Sequence, residues 1–328
     1  MKIKLFIPVS LIVISAFISC KKTTIVSSKT LTIGGQDVYL VGNDSLGAAY
    51  WKNGIETQLV NAPGLAVANA ITVHGSDVYV AGWLNGNAAY WKNGVVNIVS
   101  NDVSAATSIV VQGNDVYVAG WANLPPDNNQ TAVYWKNGIQ NILQVDGAFN
   151  SEVLSIAVQG NDVYAAGNSR TSNSPFFVAT YWKNGNPVFL SDGNTNANLW
   201  AIAVQDNNIY AAGDVNVKAT FWKNGITAAL QSDAQIGSEA FSMILNGQDV
   251  YVVGTSDGYS TFWKNGVQNI LKKLPGQNAT SIAVQGNDVY VTSNGSGISY
   301  LKNDSLITYP TKSLNPAYYV SGITVVPY

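Results

Sequence analysis

Short apolar runs, separated by polar and glycine-rich turns, follow one another along nearly the whole chain. Residues 66–99 read AVANAITVHGSDVYVAGWLNGNAAYWKNGVVNIV and contain four such runs. The third and fourth, AAYW and VVNIV, flank Lys-Asn-Gly, and Asn-Gly is a strong hairpin signal because both central turn residues need positive φ. The first two runs are joined by a short turn that reads Gln-Gly-Asn in other copies, again a tight-turn composition. β-Branched and aromatic runs bounded by such residues predict strands. No stretch carries apolar residues at helical spacing.

This four-run pattern recurs. Its best-kept element is an aromatic residue followed by Trp-Lys-Asn-Gly, at Trp51, Trp91, Trp135, Trp182, Trp222 and Trp263, with Leu301 in the seventh slot. Spacings between successive slots run from 38 to 47 residues. A typical copy is SIAVQGNDVYAAG (155–167), a variable gap, then ATYWKNG (179–185). The first-run motif occurs eight times, including TLTI (Thr30–Ile33) and GITV (Gly322–Val325), whereas the other three occur seven times. A small residue recurs within the first run, at Ala70, Ser108, Ser155, Ala201, Ser242, Ser281 and Gly322, as suits strands crowded around an axis.

Four antiparallel strands about every 40 residues is the period of a propeller blade. The predicted fold class is therefore all-β: a seven-bladed β-propeller of four-stranded antiparallel blades over residues 30–328, with the C-terminal strand closing blade one. TLTI is then either a lead-in or part of an irregular first blade. One blade cannot bury its own faces, so the repeated tryptophan reads as the filler between neighbours. The chain resembles β-propeller repeat proteins whose repeat runs from innermost to outermost strand. The tryptophan–aspartate and kelch double-glycine signatures are absent, so the resemblance implies a fold and no chemistry.

The N-terminus follows a different pattern. Lys2 and Lys4 precede an apolar run, Leu5 to Phe17, too short to span a bilayer comfortably, and Ile18-Ser19-Cys20-Lys21-Lys22 follows. This resembles a bacterial lipoprotein signal, with Phe17 where leucine is usual. It implies a signal peptide over 1–19, a lipidated Cys20 with a short linker over 20–29, and a lipid-anchored, extracytoplasmic protein of the cell envelope whose contact with the membrane is the anchor only. Cys20 is the sole cysteine, so no internal disulfide can form. Charged residues make up 11% of the chain and the net charge is -2, which argues against a nucleic-acid partner.

Candidate chemistry concentrates on one face. The turns between first and second runs and between third and fourth runs share one end of the blades and are nearly invariant. The opposite end carries the variable loops, where function concentrates. Its two longest are WANLPPDNNQTA and NSRTSNSPFFVA in copies three and four, so a groove is expected there. At the ends of the second runs stand Asn43, Trp83, Trp121, Asn168, Asp214, Thr255 and Asn294. Flat apolar rings beside fixed hydrogen-bonding groups suit a sugar, and Trp83, Trp121, Asn168, Arg170, Asp214 and Trp200 are the candidate ligand-binding residues. Phe176 and Phe177 could join them.

Other motifs carry less. The repeated aspartate (Asp37, Asp77, Asp115, Asp162, Asp249, Asp288) becomes Asn208 in copy five, a swap that suits a turn hydrogen bond rather than catalysis. Asp192, Asn194 and Asn196 begin like a calcium loop that Ala197 and Ala203 fail to complete. One histidine, His74, excludes a zinc cluster of the usual kind. Neither cofactor nor metal is expected, and no catalytic constellation is visible. The sequence thus points to a monomeric binding module for a glycan or a protein. A scaffold of an envelope assembly and a glycoside-active enzyme using rim carboxylates are the alternatives.

Overall fold

Asn-Gly turns and strand-length apolar runs build a structure made entirely of strands and connections among the described residues. The computed structural model describes residues 35–327 apart from 45–46, 61–64, 173, 233–234, 276–277, 296 and 311–318. TLTI and the N-terminal segment with Cys20 lie outside the described residues.

The described strands form six hydrogen-bonded sheets. Copy two is representative: Ala66–His74, Asp77–Leu84, Asn87–Lys92 and Val95–Ile98 pair in sequence order, antiparallel throughout. Copies five, six and seven form like sheets, beginning at Ala197–Gln205, Ser238–Asn246 and Ala279–Gln285. Copies three and four, beginning at Ser104–Gln112 and Ala148–Gln159, make one eight-stranded sheet, because a single parallel pairing of Gln130 with Asn150 joins them. In copy one, Gln36–Asp44 pairs with Gly47–Lys52 on one side and with the C-terminal strand Tyr319–Pro327 on the other.

The apolar core lies between copies. Trp91 packs with Tyr39, Val41 and Ala48 of copy one, and Trp182 with Tyr117, Ala119 and Leu143 of copy three. The motif tryptophans are 0–3% exposed, as is Leu301 in the seventh slot. Each therefore removes a large apolar surface from water that its own sheet could not cover. Tyr290, Ile298 and Tyr300 of copy seven share a cluster with Leu40 and Trp51 of copy one and with Val320 and Ile323 of the C-terminal strand.

Bulges shape the inner strands. In copies two to seven the register of the first strand shifts by one residue, for example between Ala68 and Ala70 and between Val153 and Ser155. The bulge drives a carbonyl against the second strand, so a Cβ on Gly82 would overlap the Val67 oxygen and one on Gly120 the Ala105 oxygen. Bulged side chains reach the next copy: Asn69 Nδ2 donates to the Ala106 carbonyl at 2.8 Å and Thr107 Oγ1 to that of Val153 at 2.6 Å. The small residue that follows also bridges copies, since Ser108 Oγ accepts from the Ile156 N–H and Ser155 Oγ from that of Ile202, both at 3.3 Å.

The repeated aspartate is a turn element. Asp77 takes Lys92 at 2.8 Å and the Asn93 side-chain amide at 2.7 Å, while Lys92 lies 5.2 Å from the centre of the Tyr79 ring. Asn93, at φ 51°, accepts from the Val78 N–H. Hydrogen bonds from its lysine and asparagine hold the Asp77 carboxyl below the ordinary carboxylate range. In copy five Asn208 accepts from Asn224 instead, and Lys223 keeps its place over Tyr210. His74 ends its strand exposed to solvent.

Candidate functional site

The loop end of the inner strands brings most of the candidate residues to equivalent places. Trp83 pairs with Val67, Trp121 with Ala105, Asn168 with Glu152, and Asp214 with Asn198, each just beyond its glycine. Trp83 and Trp121 are partly exposed on copies two and three, whereas Asn168 and Asp214 are buried.

In copies three to five the rim is a connected polar layer. Glu152 accepts from Gln130 Nε2 at 3.2 Å and from Asn168 Nδ2 at 3.4 Å, tying copy three to copy four. Asn168 Oδ1 accepts from the Leu199 N–H at 2.9 Å, tying copy four to copy five. Asp214 accepts from the Trp200 indole at 2.9 Å and from Asn198 Nδ2 at 3.1 Å. Trp200 is the bulged residue of its strand and meets Phe241, the bulged residue of the next copy, edge to face at 5.7 Å.

Three carboxyls in this layer are pushed the opposite way from the turn aspartates. Burial raises the pKa of Glu152 and of Asp214 above the ordinary range, and their amide and indole partners offset only part of that. Glu239 is raised by burial and then by the nearby charge of Asp214. Glu152, Asn198 and Glu239 all stand three positions before the small residue of the first run. A carboxylate there in copies four and six is the signal that could have found them from sequence.

Arg170, the chain's only arginine, lies beside this layer, two residues beyond Asn168 on the same strand. Its guanidinium sits 4.8 Å from the Phe149 ring centre and 5.0 Å from that of Phe177. The Gln130–Glu152 bond crosses from copy three to copy four where a groove is expected. A broad open depression lies instead over copy five, lined by Asp192, Asn194, Val217, Lys218 and Ile236. Asp192 is turned onto its own loop, accepting from the N–H and side chain of Asn194. Asp257 similarly accepts from the N–H groups of Gln235 and Ile236. Among the described residues no three metal-ligating side chains converge.

No protein-family model matches the chain, and no curated protein matches it. Solved structures do. Two crystal structures of the extracellular domain of BT4673 from B. thetaiotaomicron, one called a putative one-component system and the other a putative hybrid two-component system, each align with a TM-score of 0.53. Identity is 12% and 13%, over 79% of this chain and 36% of theirs. The acylaminoacyl peptidase of Pyrococcus horikoshii aligns with a TM-score of 0.52 at 11% identity, over 84% of this chain and 51% of that one. The chain therefore spans about a third to a half of the length of these three structures, and the likeness is one of fold: a propeller-like arrangement of repeated four-stranded sheets. No helix among the described residues is long and apolar enough to cross a membrane.

Proposed function

We propose that the chain is a lipid-anchored, extracytoplasmic β-propeller of seven blades that acts as a monomer and binds a glycan at its loop face. The blade count is supported by seven inter-copy apolar clusters, one for each consecutive pair and one joining copy seven to copy one. Closure through the C-terminal strand is supported by its pairing with Gln36–Asp44 and by the bond from the Tyr290 hydroxyl to Gln36. The anchor rests on the lipoprotein-like run ending at Cys20.

The observation that carries the glycan reading is the rim composition. Partly exposed Trp83 and Trp121 stand level with the Asn168–Asp214 layer, and Trp200 is fixed against Asp214. Sugars offer C–H faces to indole rings and hydroxyls to carboxylates and amides. The layer's internal bonds preorganise it and make a binding role fit better than a catalytic one.

A glycan-array screen of the full chain in detergent micelles, beside a Trp83→Ala/Trp121→Ala variant, tests this. Binding by the native chain that disappears in a variant of unchanged melting temperature is the expected result. A folded protein that binds no glycan would overturn it and favour the envelope-scaffold reading. That second reading has an observation of its own, the exposed aliphatics of the outermost strands: Val95, Ile139 and Ile226 are 67%, 71% and 74% exposed.

A further inference from the structure

We infer that Arg170 is the anchor of a subsite for a carboxylate-bearing sugar, so that the glycan bound at the loop face is an acidic one containing uronic acid. The inference rests on the glycan reading above and goes further by naming the ligand's charge.

A guanidinium is always charged and carries five N–H donors in one plane. No carboxylate among the described residues pairs with that of Arg170, although the repeat lysines of six copies hold aspartates. Its Nε is buried and without a hydrogen-bond partner. The nearest acidic group along the strands, Glu152, is occupied by Gln130 and Asn168.

The surroundings define the acceptor's shape. Phe149 is the extra residue at a register shift between Ala148 and Asn150, which turns its ring onto the guanidinium. Phe177 is held through its backbone: its N–H donates to Asn196 Oδ1 at 3.1 Å and its carbonyl accepts from the Ala197 N–H at 3.0 Å. The centres of the two phenyl rings lie 4.8 and 5.0 Å from the guanidinium carbon. A planar two-oxygen acceptor, a carboxylate, matches the fork of a guanidinium with two parallel bonds. Phe176, next in sequence to Phe177 and 38% exposed, is available as an apolar face for the sugar ring that carries the carboxylate.

The test is calorimetric titration of the full chain in micelles with short oligomers of galacturonate and of mannuronate, each beside its fully methyl-esterified form. The ester keeps the sugar and removes the charge. The acid is expected to bind about ten-fold or more tightly than the ester, with an affinity that falls as salt rises. Arg170→Gln should abolish that preference and Arg170→Lys should reduce it, because a lysine keeps the charge without the fork. Melting curves identify any variant that fails to fold, and Phe149→Leu then serves as the second probe, with a reduced preference expected.

Equal affinity for acid and ester, or a preference that survives Arg170→Gln, would overturn the inference. So would a glutamate octamer bound as tightly through Arg170, which would reassign the subsite to an acidic peptide. A chain that binds neutral glycans on the array but no uronate better than its ester would lose this inference and keep the reading it rests on.

Discussion

Trp182 shows how much one side chain carries in this repeat. It is fully buried against copy three, and its indole N–H has no partner. Trp182→Ala should destabilise the protein by about 3–5 kcal/mol in urea unfolding. Trp182→Leu should lose distinctly less, because Leu301 fills the same slot in copy seven and a leucine leaves no polar group unpaired. A loss below about 1 kcal/mol for the alanine variant would remove the packing account of the repeat. Asp214 makes a prediction of opposite character. Its folded pKa lies above the unfolded value, so keeping it ionised at neutral pH works against folding. Stability should rise as pH falls from neutral through that raised pKa, and Asp214→Asn should flatten the rise in a series of melting temperatures. The turn aspartates, with depressed pKa values, act in a lower window. Their contribution is present above the unfolded carboxylate value and fades as pH drops through the folded one.

At the scale of the element, the glycine of the second strand and the glycine of the hairpin turn do different work. Gly120 lies against the Ala105 carbonyl, which the bulge fixes, so Gly120→Ala must move backbone and should cost more than about 2 kcal/mol. Gly138, at φ +81° with open space around it, should cost only about 1 kcal/mol as alanine, through strain alone. Equal losses would mean that the bulge yields easily. The same elements explain what could be read from the chain. Turns are local, so Asn93 beside Gly94 placed the hairpin, and the swap to Asn208 gave the repeated aspartate a turn role, although the partners of Asp77, Lys92 and Asn93, belong to the neighbouring turn. Period alone placed Trp182 between sheets. The bulge was hidden, since an extra residue shows only once a strand has a partner. Everything the bulge aims was hidden with it: Phe149 onto Arg170, Trp200 onto Asp214 and Phe241. Arg170 itself was legible as a candidate of the copy-four loop, but it lies within the strand Asp162–Thr171, and its two phenyl neighbours come from the segments either side of that strand. The open depression over copy five went unforeseen because loop length says how much chain is present and not whether side chains fill the space.

Across the whole molecule, the C-terminal strand has a place that no internal strand shares. It pairs with Gln36–Asp44, Ser321 Oγ donates to the Ala68 carbonyl of copy two at 2.8 Å, and its Ile323 N–H donates to Ser281 Oγ of copy seven at 3.3 Å. Three copies therefore meet on a segment contributed by the last few residues. In a repeat array each copy draws stability from its neighbours, so an unpaired inner edge would let unfolding start there and spread copy by copy. Deleting residues 320–328 should broaden the urea transition and lower its midpoint, with amide exchange rising first in Gln36–Asp44 and Ala279–Gln285. Ser321→Ala, which removes one bridging hydroxyl and leaves the strand, should lower the midpoint slightly and keep the transition sharp. An unchanged transition in the deletion would mean that another segment completes copy one, and TLTI is the stretch of sequence able to do so. Loss of cooperativity in the deletion but not in Ser321→Ala would locate the effect in the strand's pairing and its buried Val320 and Ile323 rather than in any single bond.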